Sequence, residues 1–121
     1  MIDYLYSQGI LRVAFKEKIN FEDILDYLKD FSDLEELPSD LKILYNFEEA
    51  DFNLTNSEIN MIAHVAEKST KKYNCITTAF IVNNPKLTAY AMLFSELREN
   101  KKAKHKVFST QEAALKWLKQ P

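Results

Sequence analysis

Histidine, cysteine and paired carboxylates are the side chains that most often do chemistry, and in this chain they are few or scattered. The histidines are His64 and His105 and the single cysteine is Cys75. A zinc site needs Cys and His gathered at short spacings, and these three stand far apart. No His-Glu-x-x-His pattern occurs, and one glycine, Gly9, cannot build a phosphate loop or a dinucleotide fingerprint. His64 falls beside the apolar stripe of a predicted helix, where a partly exposed or hydrogen-bonded structural role is ordinary. Cys75 opens the most apolar strand with no assured cation beside it, so it reads as a small core residue rather than a nucleophile. Acidic residues cluster as Glu22-Asp23, Asp33 to Glu36 and Glu48-Glu49, which are solvated helix starts and loops rather than an acid–base pair. No catalytic residue, cofactor site or metal ligand is assigned, and the expectation is a protein that is not an enzyme and needs no cofactor.

Two other patterns carry polar chemistry. Thr55-Asn56-Ser57-Glu58 and Ser109-Thr110-Gln111-Glu112 both have the spacing of a capping box, in which the first and fourth residues satisfy free backbone N–H groups reciprocally. Lysines cluster at Lys68, Lys71 and Lys72, and again at Lys101, Lys102, Lys104 and Lys106 around His105. Near a helix C-terminus such charges suit the dipole; the sharper reading is contact with an acidic partner or an anionic membrane surface.

The elements that must position these groups follow from periodicity. Ile2 to Tyr6 and Ile10 to Lys16 are predicted strands joined at Ser7-Gln8-Gly9, where Gly9 takes a positive φ cheaply. Leu11, Val13 and Phe15 alternate with Arg12, Ala14 and Lys16, the period of a half-buried strand. Asn20 caps a helix whose stripe is Phe21, Ile24, Leu25, Leu28 and Phe31, and which fades before Pro38. Leu41 to Glu48 is a strand with Leu41, Ile43, Tyr45 and Phe47 on one face and Lys42, Asn46 and Glu48 on the other. The helix after Thr55 buries Ile59, Ile62, Ala63 and Ala66 and runs to about Lys72. Cys75 to Val82 is apolar on both faces and therefore internal to its sheet. Asn84-Pro85 opens a third helix. Lys106 to Ser109 is a short strand, and the last helix turns Ala114, Trp117 and Leu118 inward. The order β-β-α-β-α-β-α-β-α implies an α/β domain with a mixed, mainly parallel sheet and right-handed crossovers. Polar faces on the second and third strands suggest helices concentrated on one side.

The whole chain agrees with this frame. Its 121 residues, 46% apolar and 12% aromatic, suit a single domain spanning 1–121 with one real core. A net charge of −2 argues against a general nucleic-acid binder. No apolar run reaches the ~20 residues of a bilayer span. Met1-Ile2-Asp3-Tyr4 has no basic flank or long apolar stretch, so a cytoplasmic location is expected.

One helix departs from the pattern. Leu87, Tyr90, Ala91, Phe94 and Leu97 already make a full core stripe, and Ala89, Met92 and Leu93 add apolar surface elsewhere. Such a helix is buried on more than one side or exposes a patch with a purpose. Three arrangements compete: a helix wedged between neighbours in the same chain, a self-association face making a homodimer, and one wall of a lipophilic pocket.

Several stretches carry a family resemblance. Lys42-Ile43-Leu44-Tyr45, Ala79-Phe80-Ile81-Val82 through Asn84-Pro85, Thr88 to Phe94, and Lys106-Val107-Phe108-Ser109 through Ala113 to Leu118 resemble the SpoIIAA-like group. These are small bacterial proteins related to STAS domains and grouped in fold with the lipid-carrying Sec14 (CRAL-TRIO) domains. The resemblance covers nearly the whole chain. It implies about five strands, the first antiparallel, with four helices, and it implies no enzyme. Anti-anti-sigma members of the wider group are switched by phosphorylation of a serine in an Asp-Ser-Ser-Gly-like turn after the third strand. The corresponding region here is Ala50 to Glu58, with Thr55 and Ser57 nearest, but it lacks both the Asp-Ser pair and the glycine. Plain capping competes with a phospho-switch at these two hydroxyls, and fold analogy does not transfer function.

Two functional expectations from different classes result, with an uncharacterised enzyme as a third. The first is a non-enzymatic binding or regulatory module acting through protein contacts, on Asp51 to Glu58 and on the third-helix patch of Tyr90, Met92 and Leu93. The second is a carrier of a small lipophilic ligand with peripheral membrane contact. Its pocket would lie between the second and third helices, lined by Met61, Val65, Tyr90, Met92 and Phe94.

Overall fold

The computed structural model describes residues 1–98 and 102–120. Strand β1 (Ile2–Ser7) and β2 (Ile10–Lys18) form a hairpin, followed by α1 (Phe21–Asp33), β3 (Asp40–Asp51), α2 (Asn56–Ser69), β4 (Cys75–Ile81), α3 (Pro85–Leu97), β5 (Ala103–Phe108) and α4 (Gln111–Leu118). The hairpin turns at Gln8 and Gly9, with φ of 54° and 80°. Two consecutive left-handed residues match the twist of the flanking strands.

The five strands lie in chain order, β1-β2-β3-β4-β5. β1 pairs antiparallel with β2, and the other three pairings are parallel. Register sets Tyr45 beside Phe80 and Thr78 beside both Ile43 and His105. Each edge has its own chemistry. β5 shows Lys104 and Lys106 to solvent, whereas β1 shows Tyr4, Leu5 and Tyr6, with Leu5 66% exposed.

Side-chain alternation splits the interior in two. Leu11, Val13, Phe15, Ile43, Phe47, Ile76 and Phe80 face α1, α2 and α3 and form the larger core. Ile10, Leu44, Ala79 and Ile81 point the opposite way and pack on Ala114 and Leu118 of α4. The helices thus concentrate on one face, three against one. The faces of β2 and β3 that read as polar are polar only beyond the footprint of α4, which buries Ile10 and Leu44. No helix among the described residues is long and apolar enough to cross a membrane.

Several boundaries differ from expectation for local reasons. α2 ends at Ser69 with Thr70 as its C-cap, and the Thr70 hydroxyl donates to the Ala66 carbonyl at 2.8 Å. Lys72 lies beyond that helix and donates to the Leu34 carbonyl at 2.9 Å, so it serves the end of α1 instead. α4 is capped by Thr110, not Ser109: its hydroxyl accepts from Ala113 N, and an alanine there has no side chain to return the bond. β3 runs three residues beyond Glu48 because Lys18, Glu17 and Lys16 of β2 continue to pair with it. Lys101, part of the second basic cluster, lies outside the described residues, while Lys102, Lys104 and Lys106 are exposed and His105 is half-buried.

Candidate functional site

The capping box forms as read. Thr55 Oγ1 accepts from Glu58 N at 3.1 Å, and Glu58 Oε1 accepts from Thr55 N at 2.9 Å. Thr55 is therefore committed to holding the start of α2. Ser57, the second residue of α2 and exposed, makes no side-chain hydrogen bond among the described residues. The segment leading into this cap is tied to α3. Lys86 Nζ reaches Asp51 Oδ1 at 3.2 Å and Asn53 Oδ1 at 2.9 Å. The backbone N–H of Leu54 donates to the Tyr90 hydroxyl at 3.0 Å, and Phe52 stacks on the Tyr90 ring at 5.8 Å. Asp51 to Glu58 is thus joined to α3 through Lys86 and Tyr90; of the expected third-helix patch only Tyr90 takes part in these contacts, and Met92 and Leu93 do not. The joined surface lies where β3 and β4 end, the side on which open α/β sheets commonly bind.

Beneath that surface is an apolar cavity of about 90 Å³ between the sheet and α1–α3. Its walls include Phe15, Tyr45, Phe47 and Phe80 from the sheet, Ile24, Tyr27, Leu28 and Phe31 from α1, Ile59, Ile62 and Ala66 from α2, and Tyr90, Ala91 and Phe94 from α3. Of the residues expected to line a pocket, Tyr90 and Phe94 do so; Met61, Val65, Met92 and Leu93 are not in its walls. Helical geometry gives the reason. Met92 follows Tyr90 by two residues, roughly 200° of turn, so when Tyr90 faces inward Met92 faces out. Met61 and Met92 are 51% and 53% exposed, and Val65 and Leu93 are half-buried.

One end of the cavity is polar. The Arg98 side chain is 4% exposed and pairs through Nε with Glu67 Oε1, itself 24% exposed. Arg98 Nη2 donates to the Thr70 hydroxyl at 2.9 Å, and Nη1 stands 3.5 Å from His105 Nε2. An arginine only donates, so Nε2 faces it as the acceptor and the proton belongs on Nδ1. Burial, with the Arg98 charge beside it, pushes the imidazole down to about 4. Its ring stacks on Phe80 at 6.2 Å and meets Phe94 edge-on at 5.7 Å. A neutral histidine whose accepting nitrogen faces an arginine is a structural group. Deeper in, the hydroxyls of Tyr27 and Tyr45 meet at 2.9 Å. Burial raises both phenols, Tyr45 to about 12, so both keep their protons.

Sequence reasoning missed Arg98, Glu67, Tyr27 and Tyr45 as site residues. Tyr27 sits three residues after Ile24, on the apolar stripe, and that spacing was a usable signal. Arg98 and Glu67 are 31 residues apart and give none. His64 is exposed on α2 and forms no part of this cluster, and Cys75 is half-buried at the start of β4.

The architecture matches solved structures across its whole length. An uncharacterised protein of the DUF3478 family from Shewanella loihica, with a SpoIIAA-like fold, superposes with a TM-score of 0.62 at 18% identity, covering 98% of this chain and 92% of that one. The chain has the SpoIIAA-like fold. The anti-sigma factor antagonist SpoIIAA in its unphosphorylated form superposes with a TM-score of 0.61 at 9% identity, over 100% of both chains. The Bacillus cell fate determinant SpoIIAA in its phosphorylated form gives 0.60 at 12% identity, over 98% of this chain and 100% of that one. No family model and no curated protein matches the sequence. Within the SpoIIAA-like frame, the cap at Thr55 follows the third strand, and the cavity lies under the three-helix face.

Proposed function

We propose that this chain is a non-enzymatic regulatory binding module that acts through protein contacts, at the surface joining Asp51–Ser57 to the first turns of α3. The observation that carries this reading is the bracing of that loop by Lys86 and Tyr90, which preorganises an exposed, polar segment on a rigid support. The SpoIIAA neighbours, one of them an anti-sigma factor antagonist, support it at the level of fold. A regulatory phosphate belongs on Ser57, whose hydroxyl is uncommitted at a helix start, rather than on Thr55, whose hydroxyl holds the cap. The test is affinity capture from the native cell with wild type, Ser57→Arg and Asn53→Arg. A partner recovered by wild type and lost with both variants is expected; recovery of no partner that depends on these positions overturns the reading.

A second reading, a carrier of a small lipophilic ligand, is favoured by the apolar cavity alone. Tyr90 and Phe94 remain its lining residues, and the wall shifts from between α2 and α3 to between the sheet and all three helices. The cavity of about 90 Å³ is smaller than the roughly 150 Å³ that holds benzene, so a long acyl chain does not fit it as it stands. Solvent extraction and native mass spectrometry of the purified protein test this directly, and an empty protein that takes up no added small hydrophobe sinks it.

A further inference from the structure

We propose that the cavity binds a small, neutral, mainly apolar molecule carrying one hydrogen-bond-accepting oxygen, which the paired hydroxyls of Tyr27 and Tyr45 hold. This rests on the second reading above and names the ligand class for it.

A proton count gives the first argument. Two phenols carry two hydroxyl protons, and the Tyr27–Tyr45 contact at 2.9 Å uses one of them. Whichever ring donates, the other hydroxyl keeps a proton with no acceptor among the described residues. A donor left without an acceptor against an apolar wall is unfavourable, and an accepting ligand oxygen would relieve it. Tyr45 is half-buried and lines the cavity, as Tyr27 does.

Thr78 gives a second, independent argument. Its side chain is buried at 2% exposure, it lines the same cavity, and its hydroxyl makes no hydrogen bond among the described residues. It lies beside Ile43 in the sheet register, while Tyr45 lies beside Phe80, so the two polar groups are diagonal neighbours on one face. Two unspent hydroxyl functions thus face one apolar space.

The neighbours decide the charge and size of the occupant. An anion would need a cation to spare, and the Arg98 charge is already paired with the Glu67 carboxylate. The remaining wall is aromatic and aliphatic. Water satisfies itself with two to four polar partners, more than this wall offers to each of several molecules. At about 90 Å³ the space suits a compact ketone or aldehyde of a few carbons.

Acetone and isobutene are matched probes of the same shape and four non-hydrogen atoms, titrated into the intact protein and followed by backbone amide shifts. Acetone is expected to give saturable shifts at Tyr45, Thr78 and Ala91 and to bind at least about tenfold more tightly than isobutene, the worth of one buried hydrogen bond. Single Tyr27→Phe or Tyr45→Phe variants should retain the preference, because the surviving hydroxyl then donates its own proton. The double variant should lose it. Equal binding of the two probes by wild type overturns the acceptor assignment while leaving an apolar carrier standing. Saturable binding of neither overturns both. If the double variant does not fold, Thr78→Val and the wild-type ratio still decide.

Discussion

Removing Glu67 should cost this protein more than removing Arg98. The Arg98 side chain is the more deeply buried of the two, so Glu67→Leu strands a guanidinium inside, whereas Arg98→Leu leaves a carboxylate that can turn toward water. Losses of about 3 and about 1 kcal/mol are expected in urea unfolding; an order reversed would contradict the pairing described. His105 adds a pH dependence. Its folded pKa of about 4 lies below the ordinary 6.5, so the unfolded chain takes up a proton first as pH falls. Stability contributed above that range is lost between pH 6.5 and 4, by up to about 3 kcal/mol, and His105→Gln should flatten the wild-type slope measured between pH 7 and 5. At this scale the sequence was readable where partners are close. Thr55 and Glu58 find each other within one turn, as Asn20 and Asp23 do at the start of α1. Thr78, Tyr27 and Tyr45 come together only through strand register and helix packing, which no local spacing encodes.

At the scale of elements, α3 is the part whose role changed most between pattern and structure. Its apolar excess was read as a wedge, a pairing face or a pocket wall. Leu87 and Ala91 are buried, Tyr90 and Phe94 line the cavity, and Met92 is out in solvent. Met92→Lys should therefore change unfolding free energy by no more than about 0.5 kcal/mol. Light scattering coupled to size exclusion then reads pairing: a wild-type dimer that becomes a folded monomer makes this position an interface, and an unchanged size dismisses it. Tyr90 does a different job, holding the β3–α2 segment. Tyr90→Phe leaves the Leu54 N–H without its acceptor and should cost about 1 kcal/mol. The Leu54 amide should exchange with solvent roughly tenfold faster, while amides in β3 stay protected. Helix starts were legible because caps are local; the end of α2 was not, because Thr70 acts through its own turn and through Arg98.

For the molecule as a whole, the alternation of strands and helices was enough to give the sheet, its one antiparallel edge and its helical cover. The side chosen by α4 was less visible. Only Ile10 and Leu44, two apolar residues on otherwise polar faces, announced it. The sheet order has a consequence for how the chain comes into being. Each strand is laid against the one made just before it, so the sheet can grow as the polypeptide leaves the ribosome, without waiting for distant partners. α4 is the exception. The greasy plate of Ile10, Leu44, Ala79 and Ile81 is finished before its cover is synthesised. A chain ending at Ser109 should bind a hydrophobic dye and self-associate, and adding a peptide of residues 110–120 should suppress both. A truncated chain that stays monomeric and dye-silent would mean that the plate closes without its last helix.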